Sequence, residues 1–311
     1  MTFARTLVLC LAVLGCGHRR PAVPEWVLSA PPAAVMAISC RAGWALEQPR
    51  LLSLLEPFPL ARQSLDLFLQ RARLDLRQET GRVTVFFIRS EPAQAGHQGF
   101  LIQLGSFRDP GRLQVAVANA FPVEGALSMN NRDFPLFVIT DAQPVRIRAM
   151  ADGEGRIWLG DVAALAGLGS RPGYAPPALA ASSGWISGAA AVQGFIRPQE
   201  LRDDTVPRLP GDLARDLPRG IESVSWGLSP GAAPEAGIGF ELALAGSPEA
   251  VERASSWVHR FLEAASAVPG APGATPEILQ ESRCIGLRCR LTQDQVDLAM
   301  AKLDQPPIRC Q

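Results

Sequence analysis

The chain has 311 residues, with 30 Lys plus Arg balanced by 30 Asp plus Glu for a formal net charge of zero. That balance excludes a nucleic-acid binder driven by a basic surface, since such proteins need an excess of cations facing phosphates. The length suffices for two ordinary domains or one large one, and Lys302 is the only lysine, so nearly all positive charge sits on the planar guanidinium of Arg.

The first element is an export signal. Arg5 precedes the apolar run 7–15, which ends in Gly15. A basic start, a short apolar core and a small residue before the cut are the layout of a secretory signal peptide. The run is too short to span a bilayer, which takes about 20 apolar residues. Val13-Leu14-Gly15-Cys16 resembles the lipobox of bacterial lipoproteins. The resemblance implies cleavage before Cys16, a diacylglyceryl group on its thiol and usually a third acyl chain on its amine. Each buried methylene contributes about 0.8 kcal/mol, so several chains hold firmly. Val13 stands where the family usually has Leu. Gly17 stands where Asp would imply inner-membrane retention, so the resemblance implies an outer-membrane lipoprotein facing the periplasm. The expected divisions are a signal peptide at 1–15 and a lipidated tether at 16–30. Within the tether, His18-Arg19-Arg20 is a solvated segment or rests on anionic head groups.

The body is expected to be α+β, built as two tandem related units at 31–168 and 180–311 with a linker at 169–179. Each unit is expected to be a mostly antiparallel sheet with helices on one face. In the first, a strand at 34–40 precedes helices at 51–55 and 61–74. The strand at 82–88 is apolar on both faces, hence central. A strand follows at 99–104, and then a helix opened by Asp109-Pro110 and ending near Phe121. Val145-Arg146-Ile147-Arg148 reads as a strand, Asp152-Gly153-Glu154-Gly155 as a turn before a strand through Trp158, and Asp161 as a helix cap.

Between Arg171 and Arg197 there is no charge. The segment is rich in Gly, Ser, Ala and Pro, so it predicts a linker leading into a buried strand, not a membrane span. The second unit is expected to hold a strand at 185–195, a helical stretch at 198–216, and a strand at 221–228 with Val224, Trp226 and Leu228 on one face. A strand at 239–244 leads to a helix from Ser247-Pro248 to near Phe261. A strand at 287–290 then precedes a final helix at 293–303. Three matches recur at nearly constant separation: 99–104 with 239–244, Phe121 with Phe261, and 145–148 with 287–290. They read as an internal repeat. The layout resembles periplasmic lipoproteins of unassigned function with tandem α+β units, which implies a fold and no activity.

No GxSxG elbow, HExxH, P-loop, EF-hand loop or CxxCH is present. His18, His97 and His259 fall in the tether, a polar connection and a helix edge, so none is expected to move protons in catalysis. Glu222 and Glu241 form an acid/base pair only if the strand register sets them opposite each other. No CxxC exists, and no metal or cofactor is expected. Export permits disulfides. Among Cys40, Cys284, Cys289 and Cys310 at most one is expected, Cys289–Cys310 ahead of the other pairings.

The sharpest binding candidate is the repeated Arg-x-Arg. Alternation puts Arg146 with Arg148 on one strand face and Arg288 with Arg290 on the matching face of the second unit. If the sheets join, four guanidinium groups line one anion-binding surface suited to head groups or cell-wall polymers. The plainer alternative is a solvated face with acidic neighbours that discourages edge pairing. The expectation is thus a non-enzymatic, lipid-anchored binding or scaffold protein of the cell envelope. Its partners would be the membrane, through the anchor, and an envelope protein or anionic polymer, with no nucleic acid. The alternatives are a carrier of an apolar ligand held between sheet and helices, or a hydrolase of unfamiliar type.

Overall fold

A computed structural model describes residues 22–43, 59–75, 80–88, 99–107, 109–141, 146–152, 155–170, 175–188, 190–201, 218–230, 238–266 and 276–291. The strands are β1 (Ala34–Arg41), β2 (Thr80–Ile88), β3 (Gly99–Phe107), β4 (Val123–Met129), β5 (Arg132–Thr140) and β6 (Ile147–Ala151), followed by β7 (Ile157–Gly160), β8 (Val192–Ile196), β9 (Ile221–Pro230), β10 (Ile238–Gly246), β11 (Glu277–Glu281) and β12 (Cys284–Leu291). They form one twelve-stranded sheet in the order β11-β12-β10-β9-β8-β1-β2-β3-β7-β6-β5-β4. Neighbouring strands are antiparallel throughout.

Residue alternation gives the sheet two buried faces. On the first face Val83, Val85, Ile102 and Leu104 are buried beneath α2 (Pro59–Ala72) and α3 (Pro110–Ala120). Helix α2 presents Ala61, Leu65, Phe68 and Ala72, a single stripe at helical spacing, and all four are buried. Asp109 caps α3 by accepting the backbone N–H of Arg112 at 3.0 Å. Further along the same face, α7 (Pro248–Ser266) sets Ala250, Val251, Ala254 and Val258 over Leu242, Leu244 and Ile285.

The second face is covered differently. Helix α1 (Glu25–Leu28) puts Trp26 and Val27 against Ala37 and Phe195. The Trp26 and Phe195 rings stack with centroids 5.9 Å apart. Helix α4 (Val162–Ala166), capped by Asp161 at 2.7 Å from Ala164 N, buries Leu165 beside Leu101 and Trp158. Helix α5 (Pro177–Ser183) and the irregular segment after it cover β9, β10 and β12. A short α6 (Pro198–Leu201) follows β8.

The expected pair of tandem α+β units with helices on one face is therefore overturned. β8 pairs with β1 from Met36↔Ile196 to Cys40↔Val192, so the halves share one uninterrupted ladder, and helices pack on both faces. The physical reason lies in β1 and β8 themselves. Ala37 and Phe195 are fully buried, and a sheet edge at that point would leave their backbone groups without partners. The match of 145–148 with 287–290 also fails in space. β12 lies directly beside β10, whereas β6 is separated from β3 by β7.

Three boundaries differ as well. Residues 25–28, placed in the tether, are α1, with Val27 at 0% exposure. Residues 177–183, placed across the linker and the second unit, are α5. The strand expected from Trp185 begins only at Val192. The expected helices at 51–55 and 293–303 lie outside the described residues. Among the described residues no helix is long and apolar enough to cross a membrane.

Candidate functional site

The second face carries a polar row across most of the sheet's width. Cross-strand register links Glu277 to Arg288, Arg288 to Glu241, Glu241 to Gly227 and Gly227 to Gln193. The same row continues from Gln193 to Ser39, Thr84 and Gln103. Apart from Glu277 and Arg288, its polar members are all buried. Buried polar groups need partners, and these find them in one another and in the segments that cover the face.

Gln193 is the hinge of this network. Its Oε1 accepts from Trp26 Nε1 at 2.6 Å, and its Nε2 donates to the Ser187 carbonyl at 2.6 Å. Glu241 Oε2 accepts the Ser187 backbone N–H at 2.6 Å. Its other oxygen takes Arg288 Nε at 2.8 Å, and Arg288 reaches Glu277 at 3.4 Å. On the far side Gln103 Nε2 donates to Ser29 Oγ at 3.2 Å. Ser39 and Thr84 share a hydroxyl bond of 2.7 Å, and Arg82 donates to Ser39 Oγ and to the Ala190 carbonyl. The row thus fastens α1, Ser187 and Ala190 onto the sheet.

The four arginines singled out in the sequence do not converge. Arg148 and Arg288 share the second face, but their strands are eight places apart in the sheet order, or about 38 Å at 4.8 Å per strand. Arg148 is 2% exposed and held between Glu124 and Asp141. It donates as well to the Thr140 and Ile147 carbonyls at 3.2 Å each. Arg288 is engaged by two carboxylates, while Arg146 and Arg290 are exposed. Glu222 and Glu241 are not opposite one another. Glu241 faces Gly227, and Glu222 lies near Arg283.

Cysteine chemistry is muted. Burial pushes the Cys40 thiol up to about 11, against a smaller lowering by the nearby Arg82 guanidinium. Burial also pushes Cys289 up to about 11. Arg82 is itself lowered, by burial first and by the like charge of Arg41 second. Cys16 and Cys310 lie outside the described residues. His259 sits exposed on α7, its Nδ1 against the Ser255 carbonyl at 2.8 Å. The buried hydroxyls of Ser182, Ser223 and Ser225 bond to one another on the opposite face. Hence no Ser/His pair forms among the described residues, and no cluster of three metal-type ligands exists among them.

The depression beside Trp185 is lined by Glu241, Glu277, Gly286 and Arg288 and has room for about one water. The Trp185 Nε1 hydrogen is buried without a partner among the described residues. Sequence reasoning missed the polar row because its members lie on eight different strands. The available signal was a polar residue inside each strand, at Ser39, Thr84, Gln103, Gln193 and Glu241. No family model, curated protein or solved structure matches this chain.

Proposed function

We propose that the chain is a lipid-anchored, non-enzymatic binding or scaffold protein of the bacterial cell envelope. The anchor is Cys16, and the folded body is the interacting part. What carries this reading is how little chain separates the two. The described body starts with α1 at Glu25, and Trp26 is already 7% exposed in the core. The intervening stretch from Cys16 to Pro24 spans at most about 28 Å when extended. An anchored sheet of this kind stays within reach of the bilayer surface and of whatever assembles there.

The use made of the polar groups supports the interaction role. Three buried polar side chains of the second face, Gln103, Gln193 and Glu241, are bonded to the covering segments. They fix the covers in one place and do not meet around a substrate-sized cleft among the described residues. Exposed Arg146 and Arg290 and the outer strands β4 and β11 are what such a body offers to a partner.

Replacing Cys16 by Ser tests the anchor. The expected result is loss of palmitate incorporation and loss of membrane retention, with the body still folded. Normal labelling of the variant, or a wild-type chain that starts at Met1 and fractionates with the cytosol, would overturn the reading.

A further inference from the structure

We propose that the outer edge of β4 is a self-association surface, and that its occupant is the β4 strand of a second copy of this chain, paired antiparallel about Ala126. This deepens the envelope-binding reading, on which it rests only for the raised local concentration that anchoring supplies.

A sheet edge is a row of unpaired donors and acceptors, and proteins that remain single guard such rows. Two other edges among the described residues are guarded. Strand β11 closes one end with Glu277 and Glu281. Antiparallel self-pairing about Leu279 would set those like charges opposite each other, which is destabilising. Strand β5 runs beyond the end of β6, whose register with it stops at Leu136↔Met150. In the overhang sits Pro135, which has no N–H to offer.

Strand β4 is guarded only at its start, where a bulge and Glu124 lie. Its sequence is Val-Glu-Gly-Ala-Leu-Ser-Met, with Glu124 as the single charge. Glu124 is drawn into an ion pair with the buried Arg148. A bulge between Val123 and Gly125 leaves the run from Gly125 to Met129 regular. Val123, at 59% exposure, is among the most exposed large hydrophobics of the described residues.

The hairpin turn shows which groups point outward. Asn130 and Asn131 both have positive φ, 51° and 61°, the geometry of a two-residue type I′ turn. The flanking residues Met129 and Arg132 then exchange both their backbone bonds, and alternation makes Leu127↔Phe134 the next bonded pair. Ser128 and Ala126 are left with N–H and C=O groups aimed away from β5. The position of Pro135 opposite Ala126 fits this, because that pair exchanges no bonds. A two-fold axis through Ala126 would pair the two Ala126 backbones directly and set Ser128 against Glu124, with no like charges facing. Such an interface uses the same patch on both copies and therefore closes as a dimer.

The test uses the full-length chain in its own membranes and after extraction in detergent. Ala126 is exposed, so Ala126→Cys should not disturb the fold. With a short bifunctional thiol reagent, Ala126→Cys should give covalent dimer as the main species. Ser128→Cys, which the two-fold axis holds about 13 Å from its own copy, and Leu279→Cys on β11 should match the unsubstituted chain. Ala126→Lys should reduce the native mass from two protomers to one with an unchanged circular dichroism spectrum. Crosslinking at Ala126→Cys no greater than background would overturn the proposal. So would equal crosslinking at Leu279→Cys, capture of a different protein at Ala126→Cys, or an Ala126→Lys chain as dimeric as the wild type. Repeating the mass measurement at high concentration on Cys16→Ser protein separates the two readings, because β4 pairing should persist there without the anchor.

Discussion

Arg288 and Glu241 face each other across the β12–β10 register, Nε to Oε1 at 2.8 Å, while the second oxygen of Glu241 holds the Ser187 N–H at 2.6 Å. One carboxylate thus joins an edge-proximal strand to the segment lying over it. Glu241 is 8% exposed, whereas the Arg288 side chain is 47% exposed. The carboxylate is the costly member to lose, because its removal takes a charged acceptor from the partly buried Ser187 N–H.

Glu241→Ala should therefore lower stability by about 1–3 kcal/mol. Glu241→Gln keeps an oxygen for Ser187 and loses the ionic contact, so it should cost less. Arg288→Ala should cost least, since an exposed ion pair contributes about 0–1 kcal/mol. Urea midpoints for the three variants check the ranking. An Arg288→Ala midpoint below that of Glu241→Ala would remove the assignment of Glu241 as the latch.

A second relationship explains a glycine in the middle of the sheet. Gly194 on β8 pairs with Trp226 on β9, and a Cβ on Gly194 would lie 2.4 Å from the indole ring. The indole lies flat over the strand in the space that a side chain would take. Gly194→Ala should cost about 1–3 kcal/mol through overpacking. Adding Trp226→Leu removes the obstacle, so the double variant should be more stable than the sum of the singles predicts. Strict additivity in the denaturation energies would show that the contact is not what excludes a side chain.

Local readings of the sequence held where a periodic stripe or a cap determined the outcome. The strand at 82–88, apolar on both faces, is β2, covered on both sides, with Val83 and Val85 beneath one layer and Phe86 beneath the other. Asp109 and Asp161 cap the helices assigned to them. Val224, Trp226 and Leu228 share a face, as alternation required. The similarity of 99–104 to 239–244 also has a spatial basis. β3 and β10 are each third from the β1–β8 seam, on opposite sides. Long-range readings failed for a physical reason: antiparallel edges that match in composition merge as readily as they remain apart. Nothing local in Ala37 or Phe195 says that β1 will take β8 as a neighbour. The β4–β5 hairpin went unread although Asn130-Asn131 stands between two strand-like runs. Two asparagines tolerate positive φ, and that was the available clue. Residues 16–30 read as a tether because nothing local marks Trp26 and Val27 for burial, and their packing against Phe195 and Gln193, far along the chain, orders them.

Cys40 gives a pH dependence. Its thiol rises from 9.0 to about 11 on folding because burial disfavours the thiolate. Between those values the unfolded chain has lost the proton and the native chain retains it. The contribution is therefore fully present below pH 9, and it is lost as pH rises through 9 toward about 11. Stability should fall over that window, and Cys40→Ala should flatten the fall. Alkylation of the native chain at pH 8 should be correspondingly slow at Cys40. Fast alkylation there, compared with the same chain in urea, would mean that the thiol is not shielded.

Arg148 supplies the last test. Its guanidinium is 2% exposed and carries four acceptors: the Glu124 and Asp141 carboxylates and the Thr140 and Ile147 carbonyls. The carboxylates are 52% and 62% exposed, so each regains water when the guanidinium goes. The Ile147 carbonyl is enclosed and does not. Arg148→Ala removes both the donors and the long stem that fills the space, and about 1–3 kcal/mol should be lost. Arg148→Met keeps most of the volume and should recover part of the loss. Arg148→Lys keeps a charge but not the planar fork that serves several acceptors at once, so it should remain below the wild type. The damage should be local. Amide hydrogen exchange should accelerate in β4–β6 and stay unchanged in β9–β12, six to nine strand places from Arg148 toward the far end of the sheet. Uniform acceleration across the sheet would instead place Arg148 in the cooperative core of the whole molecule, and its role as the fastener of the β4–β5 hairpin would be wrong.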